Sequence, residues 1–510
     1  MQDFFIDFDE NSFTTVIVGQ NGAGKSNLLE ALIVIFRDLD LGIRPSFKYQ
    51  IDYTCRGHKV HVDADPGRKK SYIDIIVDGD KISYKRFMEL GREYYLPNYV
   101  FGYYSGPSNR MEKHFEKHQD RFYQDLINSD DTEKPMRPLL YARHVHSQFA
   151  LLSFFYEQDT KIKDFLREHL RIEDFDSVLF ILNEPPWKSK EGDSRFWRSR
   201  GAVQRFLSKL YELSLAPLRM DQDVTLEFRK RARLEHLYLY LKDIDALRSL
   251  ASDFSSPQEF FKALESTYIS KLISEVRIRV KVRNASGSLT FVELSEGEQQ
   301  LLMVLGLLRF TKEDESLFLL DEPDTHLNPA WSMRYLEFLE NVVGDQETGH
   351  IIMTTHDPLV IATLKRSQVR ILQFDEKKGL FFAECPETDP IKMGYPEILT
   401  SDLFGLRSII NPKIQKLLDE KRELAIKKRP TEEELNRLSE LNRTLDDFDF
   451  TRVMNDPSYG LFIEEMTRRE HEENLQKLVL TKEEMQKRRK IAAEIVKKLK
   501  SKEDEYFCES

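Results

Sequence analysis

Cysteine is scarce in this sequence, and long apolar segments are absent. The 510 residues include only Cys55, Cys385 and Cys508, which lie far apart and form no CxxC pair. This spacing argues against disulfide bonds and against a structural zinc site, so we expect three reduced thiols. No run of about 18 apolar residues is present, so no transmembrane helix is predicted. The first residues lack the basic segment of a secretory signal, and we therefore expect a soluble cytoplasmic protein.

The sequence also lacks an excess of positive charge. Lysine and arginine total 76 against 87 aspartate and glutamate residues, and the formal net charge is -11. A chain coated in nucleic acid needs a positive footprint, so this composition argues against that class but leaves room for a local basic groove. Hydrophobic residues make up 40% of the chain, which allows packed cores. The length predicts two or three domains.

A glycine-rich turn lies near the start of the chain, between a β-branched strand and a helical repeat of apolar residues. Residues 19–26 read GQNGAGKS and match the GxxxxGK[ST] pattern of a P-loop. Such a loop directs backbone N–H groups at phosphate oxygens, and the helix that follows adds its positive dipole end. Lys25 would reach the β- and γ-phosphates, and Ser26 would bind Mg²⁺. The residues expected to bind ATP are Asn21, Gly22, Ala23, Gly24, Lys25, Ser26 and Asn27.

An apolar strand that ends in two carboxylates follows later in the chain. Residues 317–323 read LFLLDEP, the pattern of a Walker B strand. We expect Asp321 to lie next to the Mg²⁺ ion, and Glu322 to accept a proton from the attacking water. A strand that ends in acidic residues is weak evidence alone, but together with a P-loop it indicates ATP hydrolysis.

Two further motifs resemble those of ABC-type ATPases. Residues 294–300 read LSEGEQQ, which resembles the family's signature motif in the form found in SMC and recombination-repair ATPases. His356 follows an apolar strand and matches the family's switch histidine, which senses the γ-phosphate. In that family the signature caps a γ-phosphate held by the opposite subunit, so the resemblance implies dimeric sites. The residues expected to contact ATP in trans are Ser295, Glu296, Gly297 and Glu298.

The same resemblance implies a D-loop and a glutamine ligand to Mg²⁺. Residues 322–329, EPDTHLNP, resemble the D-loop, which crosses the dimer in relatives. The glutamine is expected between the P-loop and the signature. Gln148 is the best candidate, because a strand that starts near Pro138 runs into a helix there. Gln119 and Gln124 compete with it.

The predicted fold is α/β, an ABC-ATPase-type P-loop head with a mixed β-sheet, a long mainly helical insertion and a helical C-terminal region. More than half of the chain separates Lys25 from Ser295, which argues against a transporter ATPase, and this segment lacks the sustained heptads of SMC arms. The expected divisions are head 1–106, insertion 107–270, head 271–410 and charged helical region 411–510.

The last of these regions is expected to dock a partner. Thr481 to Glu484 form a capping box, and the helix that follows carries a stripe of apolar residues four apart. This stripe consists of Ile491, Ile495 and Leu499. We interpret it as a docking stripe on a solvated helix, with a nucleic-acid contact as the alternative.

The motifs together resemble the overcoming-lysogenisation-defect ATPases and their relatives in bacterial antiphage systems, above all the Septu ATPase subunit and restriction-associated ATPases. The resemblance implies an ATPase that forms a homodimer or larger homo-oligomer and controls an HNH-type nuclease on a partner chain, with DNA as a further candidate partner. Residues 376–510 show no Toprim pattern and the chain shows no HNH pattern, so no nuclease is predicted here. A DNA-repair or chromosome-maintenance ATPase that clamps DNA by itself stays open as the alternative.

Two details of the sequence bear on ligands. Relatives usually have a further strand upstream of the position of Phe4 that often helps to hold the adenine, and Met1 falls near the end of this strand, so no residue is assigned to base contacts. Four histidines lie in pairs beside predicted strands or helices, and we expect packing or surface roles for them rather than metal binding. These are His58, His61, His144 and His146.

Overall fold

The computed structural model describes residues 4–8, 12–69, 71–128, 137–157, 159–227, 230–283, 287–310, 315–343, 349–375, 379–427, 430–446, 457–473, 475, 477 and 480–508. The chain forms two compact units, residues 1–363 with 367–383 and residues 364–366 with 384–510. The division expected at residue 411 therefore lies inside the second unit. Ion pairs from Glu384 to Lys482 and from Glu387 to Arg489 tie the segment before residue 411 to the last helix.

The first unit begins with a strand, a long helix and a small antiparallel sheet. Its elements are β1 (Thr14–Gly19), α1 (Lys25–Leu41), β2 (Tyr49–Cys55), β3 (His58–Ala64), β4 (Ile73–Val77), β5 (Asp80–Ile82), α2 (Tyr84–Leu90) and β6 (Tyr99–Tyr104). Strands β2 to β5 pair in chain order. Asp78 and Gly79 turn the chain between β4 and β5 at φ values of 52° and 92°, the left-handed values that such turns require.

The insertion follows, and helices outnumber strands in it. Its elements are α3 (Glu116–Asn128), β7 (Leu139–Tyr141), α4 (Val145–Tyr156), α5 (Thr160–Glu168), β8 (Ile172–Asn183), α6 (Gly201–Leu213), β9 (Leu218–Glu227), β10 (Lys230–Leu241), α7 (Ile244–Ala251) and α8 (Pro257–Ile269). The long strands β8, β9 and β10 were not expected. Strands β9 and β10 form an antiparallel hairpin, and β8 pairs with β10 as the third strand.

The rest of the first unit returns to the head. Its elements are β11 (Ile273–Val282), β12 (Ser288–Thr290), α9 (Glu296–Phe310), β13 (Ser316–Asp321), α10 (Pro329–Ser332), α11 (Tyr335–Val343), β14 (His350–Thr354), α12 (Pro358–Ile361), β15 (Val369–Asp375) and β16 (Leu380–Glu384). Strands β11 and β12 complete a five-stranded sheet with the insertion, in the order β12-β11-β8-β10-β9.

A seven-stranded sheet of order β16-β15-β1-β14-β13-β6-β7 forms the centre of the head. Strands β15, β1, β14, β13, β6 and β7 pair in parallel. Strands β1 and β13 are buried along their whole length, as expected for continuous apolar runs in a parallel sheet. Because the carboxyl ends of parallel strands meet at one edge, this topology brings the P-loop, the Walker B carboxylates and His356 to the same edge.

The signature helix α9 packs closely against the insertion helix α4. A Cβ at Gly306 would lie 2.1 Å from the Cβ of Ala150, so only the pairing of two small residues permits this approach. Next to that contact, the rings of Phe154 and Phe310 have centroids 4.9 Å apart. The insertion is therefore built onto the helix that begins with the signature motif.

The second unit is helical in its described part. Its helices are α13 (Tyr395–Thr400), α14 (Pro412–Ile426), α15 (Glu432–Asp446), α16 (Pro457–Glu472) and α17 (Lys482–Cys508). The predicted capping box is confirmed, because the Thr481 N–H donates to Glu484 Oε2 at 2.9 Å and the Glu484 N–H donates to Thr481 Oγ1. No helix among the described residues is both long enough and apolar enough to cross a membrane.

The apolar stripe on α17 packs inside its own unit, whereas a docking face for a partner was expected. Ile491 and Ile495 are buried in a cluster with Met466 of α16 and with Leu475, and Leu499 packs against the same cluster. The stripe is covered by the unit's own side chains, so it does not present a free docking face. The four-residue spacing correctly identified a buried helix face but not what covers it.

Candidate nucleotide-binding and hydrolysis site

The turn between β1 and α1 depends on three glycines. Gly22 and Gly24 have φ values of 83° and 93°, which glycine adopts without strain. Gly19 is needed for a different reason, because a Cβ there would lie 2.4 Å from the carbonyl oxygen of Leu372. Helix α1 then begins at Lys25 without a side-chain cap. Its first backbone N–H groups are therefore available to an anion.

Lys25 is buried at the start of α1, and its amino group points back into the turn. Its Nζ donates to the carbonyl oxygens of Gly19 at 2.8 Å and Gln20 at 3.3 Å. Burial lowers the pKa of Lys25, while the charges of Glu322 and Asp321 oppose this shift. The structure thus brings the P-loop lysine and the two Walker B carboxylates into one electrostatic environment.

Asp321 ends the Walker B strand and is almost completely buried, with 1% of its surface exposed. The Thr354 hydroxyl donates to Asp321 Oδ1. The other carboxylate oxygen, Oδ2, is buried and has no hydrogen-bond partner among the described residues. An unpaired buried carboxylate oxygen is unfavourable, and it is the ligand type that Mg²⁺ prefers. Asp321 and Ser26, in the first turn of α1, therefore fit a Mg²⁺ ion.

Glu322 adopts an uncommon backbone conformation next to the switch histidine. Its φ is 51°, a left-handed value that persists in a non-glycine residue only when its surroundings hold it. The Glu322 N–H donates to Thr354 Oγ1 at 3.0 Å and to the Thr354 carbonyl oxygen at 3.2 Å. Glu322 Oε1 lies 3.0 Å from His356 Nε2. Burial and then the Lys25 charge lower the pKa of His356, which favours a neutral imidazole beside this carboxylate at neutral pH.

A second threonine at the end of β14 holds the D-loop. The buried Thr355 hydroxyl donates to Asp324 Oδ2 and accepts a hydrogen bond from the Asp357 N–H at 2.9 Å. Burial raises the pKa of Asp324 to about 6. Thr354 and Thr355 thus fasten the two Walker B residues and the D-loop to one strand end. Sequence reasoning missed both, although two adjacent hydroxyl side chains before a motif histidine were the available signal.

The signature motif forms the start of α9 and lies against the D-loop. Ser295 and Glu298 form a capping box, in which the Ser295 N–H donates to Glu298 Oε2 at 2.7 Å and the Glu298 N–H donates to Ser295 Oγ. A Cβ at Gly297 would lie 2.5 Å from the carbonyl oxygen of His326. The exposed Glu296 carboxylate lies 3.5 Å from His326 Nδ1. Within the described ranges, no hydrogen bond or ion pair links these residues to the P-loop, and their contact with ATP in trans stays a prediction.

The glutamine ligand to Mg²⁺ is not identified by the structure. The strand next to the Walker B strand is β6, and the Ser105 N–H that follows it donates to the Asp321 carbonyl oxygen at 3.2 Å. Gln148 lies on α4, which follows the edge strand β7. Gln119 accepts a hydrogen bond from Arg143, and Gln124 lies on α3. The assignment of Gln148 stays a prediction, and Ser105 is the polar residue that the structure places beside Asp321.

The four paired histidines lie outside this site. His58 and His61 form hydrogen bonds with the carboxylates of Asp78 and Asp52 at exposed positions. His146 is buried and contacts Glu265 at 2.7 Å. His144 interacts with Ser147. In the part of the chain that the structure describes, no group of three or more His, Cys, Asp and Glu side chains could hold a metal ion, and Cys55 and Cys385 are free thiols.

The geometry of the site and the family comparison identify the same class of protein. Residues 14–362 match the family model described as "AAA domain, putative AbiEii toxin, Type IV TA system". This range contains the P-loop, the signature, the Walker B strand and His356. The fold and the site define a P-loop ATPase, a nucleotide-binding enzyme that hydrolyses ATP. The chain belongs to this AAA-domain family, since the match covers more than half of its length.

Named relatives are similar to the chain at low identity. The Septu protein PtuA of Bacillus mycoides (strain KBAB4) is 27% identical over 170 residues, covering 31% of this chain and 23% of that protein. The Septu protein PtuA of Bacillus thuringiensis is 22% identical over 210 residues, covering 37% and 52%. The chain thus spans about a quarter and about half of these two proteins. The expected likeness to Septu ATPases is confirmed at this level.

A longer match and a solved structure complete the comparison. The "Retron Vc95 probable ATPase" of Vibrio cholerae serotype O1 biovar El Tor is 21% identical over 397 residues, covering 70% of this chain and 68% of that protein. The SMC head domain from Thermotoga maritima shows 13% identity and a TM-score of 0.29, covering 75% of this chain and 93% of that chain.

Proposed function

We propose that this ATPase is the sensor and regulator subunit of an antiphage defence complex and controls an HNH-type nuclease on a partner chain. Similarity to two Septu proteins and to a retron ATPase supports this proposal. The observation that carries the enzymatic part is the arrangement at the end of β14. There Thr354 bonds the carboxylate of Asp321 and the backbone N–H of Glu322, and His356 lies 3.0 Å from the carboxylate of Glu322.

ATP is bound between two copies of the chain in this proposal. The start of α9 supports it, because Ser295 is exposed and 84% of the Glu296 side chain is exposed. The first backbone N–H groups of a helix favour an anion. A γ-phosphate presented by a second copy would meet this helix end, and the D-loop packed against Gly297 would lie at the same interface.

Each residue of the site then has one task. The P-loop N–H groups and Lys25 bind the phosphates, and Ser26 and Asp321 hold the Mg²⁺ ion. When bound, that ion neutralises charge on the phosphate oxygens. Glu322 accepts a proton from the attacking water, and His356 Nε2 lies 3.0 Å from its Oε1. His356 keeps the carboxylate oriented and changes its contact when the γ-phosphate is lost.

The first experiment replaces the proposed base. Glu322→Gln should bind ATP with nearly unchanged affinity and turn it over about 100-fold or more slowly, since a positioned general base typically contributes that much. Glu337→Gln removes an exposed carboxylate from α11 and serves as the matched control, with turnover like the wild type. Near-normal turnover by Glu322→Gln would reject Glu322 as the base.

The partner is tested with the chain expressed together with its neighbouring genes. Affinity purification followed by native mass measurement should give an ATPase oligomer with a stoichiometric nuclease subunit. DNA cleavage is then measured with and without ATP, and with the Glu322→Gln variant. A bare homodimer that binds DNA only with ATP would instead favour the DNA-clamping ATPase.

A further inference from the structure

A compact loop in the insertion is rich in positive charge although the chain is acidic. Residues 187–205 contain six basic and two acidic residues, a net charge of +4 from 6 − 2, whereas the whole chain carries -11. The basic residues are Lys188, Lys190, Arg195, Arg198, Arg200 and Arg205. The segment also contains Trp187 and Trp197, two of the three tryptophans in the protein. We call residues 187–200 the basic loop.

The basic loop is held in an unusual backbone conformation. Trp197 and Arg198 have φ values of 51° and 66°, in the left-handed region. Asp193 closes the loop, because its N–H donates to the Ser199 carbonyl oxygen at 3.2 Å and its carbonyl oxygen accepts from the Arg198 N–H at 2.8 Å. Only glycine fits at Gly192, where a Cβ would lie 2.3 Å from the Arg198 carbonyl oxygen. Such strain persists where the surroundings fix it, and it concentrates at functional sites.

The loop leads directly into the N-terminus of a 13-residue helix. Helix α6 begins at Gly201, and the N-cap residue Arg200 makes no side-chain cap hydrogen bond. The first backbone N–H groups of this helix are therefore not satisfied by a capping side chain. A helix end of this kind favours a negatively charged group.

A small cavity of about 10 Å³, with room for about one oxygen atom, lies at this helix end. Its lining includes Arg198, Ser199, Arg200, Ser270 and Trp187, and it contains no acidic residue. Ser199 is 3% exposed, and its Oγ has no hydrogen-bond partner among the described residues. A buried hydroxyl without a partner is unfavourable. Its presence in the lining of a cationic cavity indicates a ligand that accepts hydrogen bonds.

The guanidinium charges of Arg198 and Arg200 are largely available to a ligand. Arg198 Nη1 donates to the carbonyl oxygens of Lys190 at 2.9 Å and Ser189 at 3.4 Å, which orient the guanidinium without neutralising it. Arg200 pairs with Glu191, whose side chain is 80% exposed, so solvent screens this pair strongly. Lys188 is exposed and forms no ion pair within the described ranges.

We propose that this helix end binds a phosphate group of a nucleic-acid strand, with one phosphate oxygen in the cavity. A helix N-terminus, a hydroxyl and guanidinium groups are the donors that bind backbone phosphates in nucleic-acid complexes. The exposed Lys188, Lys190 and Arg205 lie beyond the cavity lining. They favour a chain of phosphates over a single small anion, because only a polyanion would use them. Trp187 in the lining adds an aromatic surface of the kind on which bases stack.

The test measures binding of the full-length protein to a labelled single strand and to the matching duplex, by fluorescence anisotropy without ATP. The double variant Arg198→Gln/Arg200→Gln should bind at least about tenfold more weakly, as expected for two charge-assisted hydrogen-bonding groups. Its plot of log affinity against log salt should flatten by about 0.7–0.9 for each lost phosphate contact. Arg167→Gln/Arg248→Gln makes the same change of charge at exposed positions on α5 and α7, and should bind like the wild type.

Two further measurements keep the outcome clear. Thermal unfolding checks that the double variant is folded. If it is unstable, Ser199→Ala takes its place as the test, since this substitution changes no charge and should also weaken binding. Equal losses in the site variant and in the Arg167/Arg248 control would overturn the proposal, and so would unaltered binding by the site variants. Titration with inorganic phosphate identifies a free anion as the ligand if phosphate binds and neither nucleic acid does, which also overturns it. None of these results depends on ATP turnover.

Discussion

Replacing Thr354 by valine removes one hydroxyl group at a fully buried position and hardly changes the volume of the side chain. The hydroxyl donates to Asp321 Oδ1 and accepts from the Glu322 N–H at 3.0 Å. Valine can do neither. The Glu322 N–H keeps a second acceptor in the Thr354 carbonyl oxygen, so the main loss falls on the buried carboxylate of Asp321.

The size of the effect follows from these contacts. A hydrogen bond to a charged group contributes about 1.5–3 kcal/mol, so the free energy of unfolding of the first unit should fall by about 2–3 kcal/mol. The kcat for ATP hydrolysis should fall by about 10- to 100-fold, because displacement of catalytic groups by about 1 Å has effects of that order. Denaturant unfolding and steady-state ATPase rates measure the two quantities separately.

Thr354→Ser provides the control. Serine keeps the hydroxyl and loses a buried methyl group, so stability should fall by about 1 kcal/mol while kcat stays close to that of the wild type. The positioning role would be refuted if the valine variant kept its kcat within about twofold. It would also be refuted if serine lost as much activity as valine, since the hydroxyl would then not be the cause.

Three further changes test other parts of the first unit. Glu265→Gln leaves Arg137 buried without its carboxylate partner at 2.9 Å. The substitution should therefore destabilise the protein by about 3–5 kcal/mol. A loss below about 1 kcal/mol in denaturant unfolding would contradict this expectation. Burial raises the pKa of Asp324 from 3.8 to about 6, so the folded state holds its proton more tightly, and wild-type stability should decrease as pH rises through this window. Asp324→Asn removes that dependence. The free energy of unfolding of this variant relative to the wild type should therefore increase by at most about 3 kcal/mol between about pH 4 and pH 7. A constant difference in the free energy of unfolding across this range would count against the raised pKa. Gly297→Ala places a Cβ 2.5 Å from the His326 carbonyl oxygen and should lower stability by about 1–3 kcal/mol together with ATP turnover, and unchanged values of both would show that the D-loop can yield.

The nucleotide site was largely predictable because its signals are local in sequence. Each motif indicates the backbone conformation of its own segment. The motifs are the glycines at residues 19–24, a lysine and a serine at a helix start, and strands that end in carboxylates or histidine. The topology then brings them together, since β1, β14 and β13 are adjacent parallel strands. The glutamine ligand could not be settled in the same way, because the strand next to Asp321 had to be known first.

The roles of Thr354 and Thr355 needed pairing information that one sequence does not contain. Each bonds a carboxylate more than 30 residues away along the chain. Strands β8 to β10 were missed for a related reason. Residues 234–241, LEHLYLYL, alternate as a strand does, but the charged, aromatic-rich surroundings favoured helices. Only pairing of β8 with β11 and β10 shows which faces of these strands are covered.

The close fit of Gly306 against Ala150 joins the signature helix and the insertion mechanically. Two helices that approach through a glycine and an alanine leave no side-chain layer between them that could deform. A displacement of α9 would therefore be transmitted to α4, and a ligand that restrains α4 would also restrain α9. By thermodynamic reciprocity, whatever the insertion binds more tightly in the ATP-bound arrangement will increase the affinity for ATP by the same factor. In the proposed function, an event at the insertion would in this way change nucleotide occupancy.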